Sequence, residues 1–177
     1  MSMVNYLECP MLYNQMNQSS SHYSLGMGSD LLEYSISCAD KLHSLFGDQI
    51  DETALVYQGM SGISAATGIV MAQLMGYGKK SQQFYVRKND ESSHGDNIEY
   101  SSNFHKAQVF VFVDDFLSSG QTLSRCVSTM KRIPCSHKSP SWLCLVQGRG
   151  FSQVDNTSLR LPPTFNVQKD FYIWDGK

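Results

Sequence analysis

Asp114 and Asp115 stand side by side at the end of an apolar run. Phe116 and Leu117 follow, and then Ser118-Ser119-Gly120-Gln121-Thr122. Ionised carboxylates only accept hydrogen bonds and a vicinal diol offers two donors, so the acid pair suits the hydroxyls of a sugar. Ser118, Ser119 and Thr122 add hydroxyl donors, and Gly120 lets the backbone approach an anion closely. Beyond them Leu123, Val127 and Met130 recur at helical spacing, so the loop opens a helix. A helix N-terminus presents unpaired N–H groups and roughly half a positive charge. These parts describe a cradle for a phosphorylated ribose, with the phosphate in the loop and the diol on the acids. No lysine occupies the loop, which separates it from the nucleoside-triphosphate P-loop and its Gly-Lys-Ser/Thr.

Such a cradle needs a strand before it and a helix after it. Residues 109–113 are all Val or Phe, a run too short for a helix and expected as a fully buried strand. The following helix is expected to reach about Arg132, where Pro134 ends it. A similar unit precedes it. Residues 53–57 (TALVY) read as a buried strand, residues 58–62 (QGMSG) as a tight loop, and residues 63–75 as a helix. Ala65, Ala66, Gly68 and Ala72 line that helix with small side chains, so it can pack close to a sheet, and Gly76 and Gly78 stop it. Gln58, Gly59, Met60, Ser61 and Gly62 thus form a second candidate anion site at a helix N-terminus.

Around these two units the pattern continues. Residues 30–46 read as a helix: Asp30 and Glu33 resemble a capping box, and Leu31, Tyr34, Cys38, Leu42 and Leu45 form an apolar stripe that Gly47 ends. Residues 81–87 and 142–146 read as strands, and residues 167–174 as a strand or an aromatic tail. Residues 88–106 are polar throughout, with little apolar periodicity. A structureless stretch that long is usually functional or disordered, and a lid is the functional version. Strands alternating with helices, and ligand loops at strand ends, predict an α/β fold with a mainly parallel central sheet flanked by helices.

With 177 residues the chain is expected to be one domain with one substantial core. A net charge of −2 provides no general attraction to nucleic acid or to an anionic membrane. The five cysteines are scattered with no Cys-x-x-Cys, so reduced core thiols are expected rather than a metal or disulfide framework. No membrane-length apolar run occurs and no cationic-apolar leader opens the chain, so a cytoplasmic location is expected.

The central motif resembles the phosphoribosyl pyrophosphate (PRPP) signature of type I phosphoribosyltransferases: a hydrophobic strand, two acids, three variable residues, Ser/Thr, Gly, one residue, Thr/Ser. The resemblance covers residues 53–147. It implies transfer of phosphoribose from PRPP to a nucleobase, with release of pyrophosphate. Asp114 and Asp115 would hold the ribose diol and face its cationic character. Ser118, Ser119, Gly120, Gln121 and Thr122 would hold the 5-phosphate. Gln58, Gly59, Met60, Ser61 and Gly62, with Arg87, would hold the pyrophosphate, in this family often through a cis peptide. Mg²⁺ would be carried mainly by substrate oxygens, with Asp114 or Asp115 as the available protein ligands. A variable hood over the base would come from residues 1–28, 151–177 or both, around a core of about 30–150. A homodimer is expected.

Arg87-Lys88…His94-Gly95 resembles the catalytic-loop motif of the orotate branch, which would make Lys88 and His94 catalytic and orotate the first candidate acceptor. Five residues separate the two pairs here, Asn89-Asp90-Glu91-Ser92-Ser93, where that motif has four, and its loop lysine is absent. Two acids occupy a place where a cation would stabilise developing negative charge. A PRPP- or nucleotide-binding regulator that keeps the cradle without turnover is therefore the rival reading.

Overall fold

The computed structural model describes residues 29–88, 98–101, 104–115, 120–132, 141–147 and 171–174. Its elements in order are α1 (Ser29–Phe46), β1 (Thr53–Tyr57), α2 (Gly59–Tyr77), β2 (Gln82–Val86), β3 (Ile98–Tyr100), β4 (Val109–Asp114), α3 (Gln121–Met130), β5 (Ser141–Gln147) and β6 (Phe171–Trp174). Short 3₁₀ turns, Gly47–Glu52 and Phe104–Lys106, lead into β1 and towards β4. The strands form one sheet in the order β3-β2-β1-β4-β5-β6, parallel except for the antiparallel edge strand β3. This is the α/β architecture that the alternating pattern predicts.

The period-two alternation of the central strands sorts them onto two buried faces. Ala54 and Val56 of β1, Phe110 and Phe112 of β4, and Cys144 and Val146 of β5 point one way, against Leu123, Cys126, Val127 and Met130 of α3. Leu55 and Tyr57, Val111 and Val113, and Leu145 point the other way, against Tyr34, Cys38 and Leu42 of α1 and Ala65, Ala66, Ile69 and Val70 of α2. With both faces covered, β1 and β4 have no need of polar alternation, which is why they read as continuous apolar runs.

The helices on the second face are tied closely to the sheet and to each other. Tyr34 Oη donates to the Leu145 carbonyl at 3.0 Å, anchoring α1 across the sheet. Gly68 faces α1 rather than the sheet, since a methyl group there would fall 2.2 Å from Ser35 Oγ. At the N-terminal edge of the strands the buried polar residues satisfy one another. Gln73 Nε2 donates to Ser81 Oγ at 2.9 Å, and the Ser81 N–H donates to Gln73 Oε1 at 2.9 Å. Thr53 Oγ1 donates to the Ile50 carbonyl at 2.7 Å and lies 2.7 Å from Ser81 Oγ. That network closes the edge opposite the C-terminal ends of the strands and needs no function beyond packing.

Several boundaries differ from the sequence reading. The stretch 58–62 is not a separate loop, because α2 begins at Gly59. Gln58 is extended (φ −141°, ψ 144°) and Gly59 turns at φ +75°, so one residue completes the turn. Residues 88–106 are not wholly structureless. Ile98–Tyr100 pairs with β2, Val86 opposite Ile98 and Phe84 opposite Tyr100. Ile98 packs on the core and Tyr100 lies 6.0 Å from the Phe84 ring, contacts too few for a three-residue strand to show in local periodicity. The aromatic tail contributes β6, Phe171–Trp174, parallel to β5. No peptide bond among the described residues is cis. The hood segment 1–28, the side-chain cap expected from Asp30, and His94, Ser118 and Ser119 lie outside the described residues or side chains.

Candidate functional site

The chain leaves β1 towards β2 on one side of the sheet, and leaves β4 towards β5 and β6 on the other. The direction of winding therefore reverses between β1 and β4. Open α/β sheets bind ligands in the crevice outside the C-terminal ends of strands at such a reversal. Two features bound this crevice: Gln58, directly after β1, and Asp114 with Asp115, at the end of β4. Because α2 and α3 cover opposite faces, their N-termini approach the crevice from opposite sides.

Neither N-terminus carries a side-chain cap among the described residues. At α2, Gly59 takes the left-handed conformation (φ +75°) that lets the extended strand pass straight into a helix. Gly62 seats that first turn on the strand ends: a methyl group there would stand 3.0 Å from Tyr57 Cβ and 3.5 Å from the Val113 carbonyl oxygen. At α3, buried Gly120 precedes the helix at φ +71°, and its carbonyl accepts the Ser124 N–H at 2.9 Å. Met60 points outward, Ser61 and Thr122 are half-buried, and Gln121 is exposed.

Cations stand around the α2 terminus. A methyl group on Gly59 would lie 3.7 Å from Lys88 Cε and 3.9 Å from its Nζ, so the ammonium stands over the start of α2. Arg125, in the second turn of α3, donates from Nη1 to Gln58 Oε1 at 2.8 Å. Gln58 Nε2 in turn donates to the carbonyls of Val86 at 3.2 Å and Arg87 at 3.0 Å. The Arg87 guanidinium pairs with Glu99 on the edge strand β3. Arg125 was not legible as a site residue. The apolar stripe of α3 leaves it off the core face, and nothing local tells that the off-stripe position reaches the end of β1.

Asp114 is only 9% exposed, on the face of the sheet that α3 covers. It is the last residue of β4, opposite Val146 of β5. Burial, then a hydrogen bond to the Asp115 side chain and that group's charge, push its carboxyl well above the ordinary range; the Asp115 N–H and the Lys88 charge pull the other way. That N–H donates to Asp114 Oδ1 at 3.0 Å. Cys126, beneath the pair, has its thiol pushed up to about 12, first by burial and then by the Asp114 charge. A second carboxyl group beside a buried one favours the protonated form of the buried one. Asp115 is the half-buried member of the pair.

This placement has a consequence for stability. The folded chain holds the Asp114 proton more tightly than the unfolded chain does. The stability linked to that proton is full below the ordinary Asp range and is lost as pH rises through the raised folded value. Asp114→Asn keeps an acceptor for the Asp115 N–H and cannot ionise. Its melting temperature is expected to fall less between pH 4 and pH 9 than that of the wild type. At the alkaline end it should be the more stable protein. Thermal melts across that range check this, and parallel curves for the two proteins would contradict it.

The crevice thus brings together two adjacent carboxyl groups, two uncapped helix N-termini and the Lys88 ammonium. Among the described residues no group of three or more His, Cys, Asp or Glu is placed to hold a metal ion. The acid pair fits a divalent cation as an auxiliary ligand to an ion whose other ligands are oxygens of a bound anion and water.

No protein-family model matches the chain, and no curated protein matches it. Solved structures do. An orotate phosphoribosyltransferase from Francisella tularensis is similar at 15% identity and a TM-score of 0.48, over 68% of this chain and 53% of that one. A hypoxanthine phosphoribosyltransferase from Staphylococcus aureus is similar at 12% identity and a TM-score of 0.44, over 67% of this chain and 62% of that one. A hypoxanthine-guanine-xanthine phosphoribosyltransferase is similar at 11% identity and a TM-score of 0.48, over 82% of this chain and 74% of that one. The chain thus spans about half the length of the first of these structures and less than two thirds of the second.

Proposed function

We propose that this chain is a phosphoribosyltransferase acting on PRPP with Mg²⁺ and a nucleobase. The observation that carries the reading is the acid pair at the reversal point of a parallel sheet, between two helix N-termini. PRPP has the matching parts: a diol, a phosphate on one side of it and a diphosphate on the other. The α3 terminus with Gly120, Gln121 and Thr122 receives the 5-phosphate. The α2 terminus, with Lys88 over Gly59, receives the diphosphate. Asp115 and Asp114 receive the hydroxyls.

In the reaction the C1–O bond to pyrophosphate breaks, a ring nitrogen of the base bonds to C1 and gives up its proton to solvent, and pyrophosphate leaves with its charge countered by α2 and Lys88. Mg²⁺, when bound, neutralises the leaving diphosphate. Carboxylate charge near the ribose stabilises the cationic C1 more than the ground state, which is what accelerates the step. Orotate is the first candidate acceptor on the Arg87-Lys88…His94-Gly95 resemblance. Incubation with PRPP, Mg²⁺ and a panel of pyrimidine and purine bases, with pyrophosphate release followed, tests the reading. Release that depends on one base supports an enzyme and names the acceptor.

The rival, a PRPP-binding regulator, draws on Asp90 and Glu91 between the Arg87-Lys88 and His94-Gly95 pairs of the sequence and on the engagement of Arg87 by Glu99. Tight PRPP binding without release in the presence of any base would favour it.

A further inference from the structure

Gln58 was expected to touch the diphosphate, yet its side chain is 5% exposed and turned inward. It continues the face of Ala54 and Val56, towards α3. Its amide nitrogen donates to the Val86 carbonyl at 3.2 Å and to the Arg87 carbonyl at 3.0 Å, and its oxygen accepts from Arg125 at 2.8 Å. The last backbone pair of β1 with β2 is Tyr57 with Tyr85. After it the chain of β1 turns into α2 and its backbone no longer reaches β2. The Gln58 amide replaces it, extending the ladder by a side chain just where β2 ends.

We infer that Gln58 is a positioning residue for Lys88, the cation over the start of α2. The hold on Val86 and Arg87 fixes the course of the chain into Lys88, whose ammonium stands over the start of α2. The same amide fixes Arg125 from the opposite side of the crevice. An apolar side chain of equal length would leave two strand-end carbonyls without that donor and Arg125 without that acceptor. Lys88 would then sample positions away from the helix terminus. The inference rests on the phosphoribosyl reading, and it assigns Gln58 no contact with substrate.

The test measures binding of Mg²⁺-pyrophosphate and of ribose 5-phosphate separately, by calorimetry, in full-length protein. Gln58→Met is expected to weaken pyrophosphate binding about tenfold, the scale of one charge-assisted contact, and ribose 5-phosphate binding by less than about twofold. Lys88→Met is expected to show the same selective loss, and the double variant to be little weaker than Lys88→Met alone, because Gln58 acts through Lys88. Gln58→Asn, neutral and polar but one methylene too short for the carbonyls, is expected to give the same loss should the Met variant not fold. Undiminished pyrophosphate binding in the Gln58 variants overturns the inference, as does equal loss of both ligands or full additivity with Lys88→Met. A wild-type protein that binds neither probe overturns the phosphoribosyl reading and this inference with it. Wild-type binding with an unimpaired Gln58 variant overturns this inference alone.

Discussion

PRPP with Mg²⁺, at ~100 times its dissociation constant, is expected to stabilise the protein by about 2.7 kcal/mol. For a domain of this size that corresponds to a rise in Tm of about 5–10 °C. The expectation follows from geometry rather than from the chemistry of transfer. Two helix termini and the Lys88 ammonium concentrate positive potential at the C-terminal edge of β1 and β4, and Asp114 is buried between them. A ligand with anionic groups at both ends and a diol in the middle complements all of these parts only in the folded chain. Ribose 5-phosphate or Mg²⁺-pyrophosphate alone fills one seat and should give a smaller shift. Differential scanning fluorimetry with the three ligands in parallel makes the comparison. A melt unmoved by millimolar PRPP with Mg²⁺ would remove the central claim, whatever the acceptor.

Asp115→Asn is expected to lower turnover about 10²-fold while weakening PRPP binding far less. The carboxamide keeps an acceptor for a ribose hydroxyl and nearly the same shape, so ground-state binding loses little. The negative charge matters when C1 becomes cationic, and a carboxamide cannot supply it. Asp115 is chosen over Asp114 because of burial. Asp114 sits under α3 with its carboxyl held towards the protonated form, whereas Asp115, next in the chain after β4, is half-buried. Single-turnover rates beside equilibrium binding of PRPP separate the two effects. Equal losses in rate and affinity would contradict the electrostatic role.

Much of the fold was legible because its signals are local. The apolar run before Asp114 is long enough to mark a buried strand and short enough to exclude a helix, and β4 is Val109–Asp114. TALVY coincides with β1, and the stripe through Tyr34, Cys38 and Leu42 packs α1 on the core. The edge strand β3 was missed for a physical reason. Its three residues are held by pairing with β2, and Ile98 and Tyr100 gain their contacts only once that strand is present.

The sequence by itself determined the chemistry on offer: adjacent acids, a glycine-and-hydroxyl loop ahead of a helix, and a second glycine turn one unit earlier. It also determined the α/β class, since strand and helix periods are properties of neighbouring residues. Only the tertiary structure decided that β1 and β4 lie side by side at the reversal of the sheet, which brings the ends of two units far apart in the chain into one crevice. It also decided that Gln58 turns inward, that Arg125 reaches it, and that Glu99 engages Arg87. Gln58 and Arg125 are separated by 67 positions in the chain. Whether such a pair meets depends on strand order and on which face α3 covers, and neither is a property of any short window of sequence.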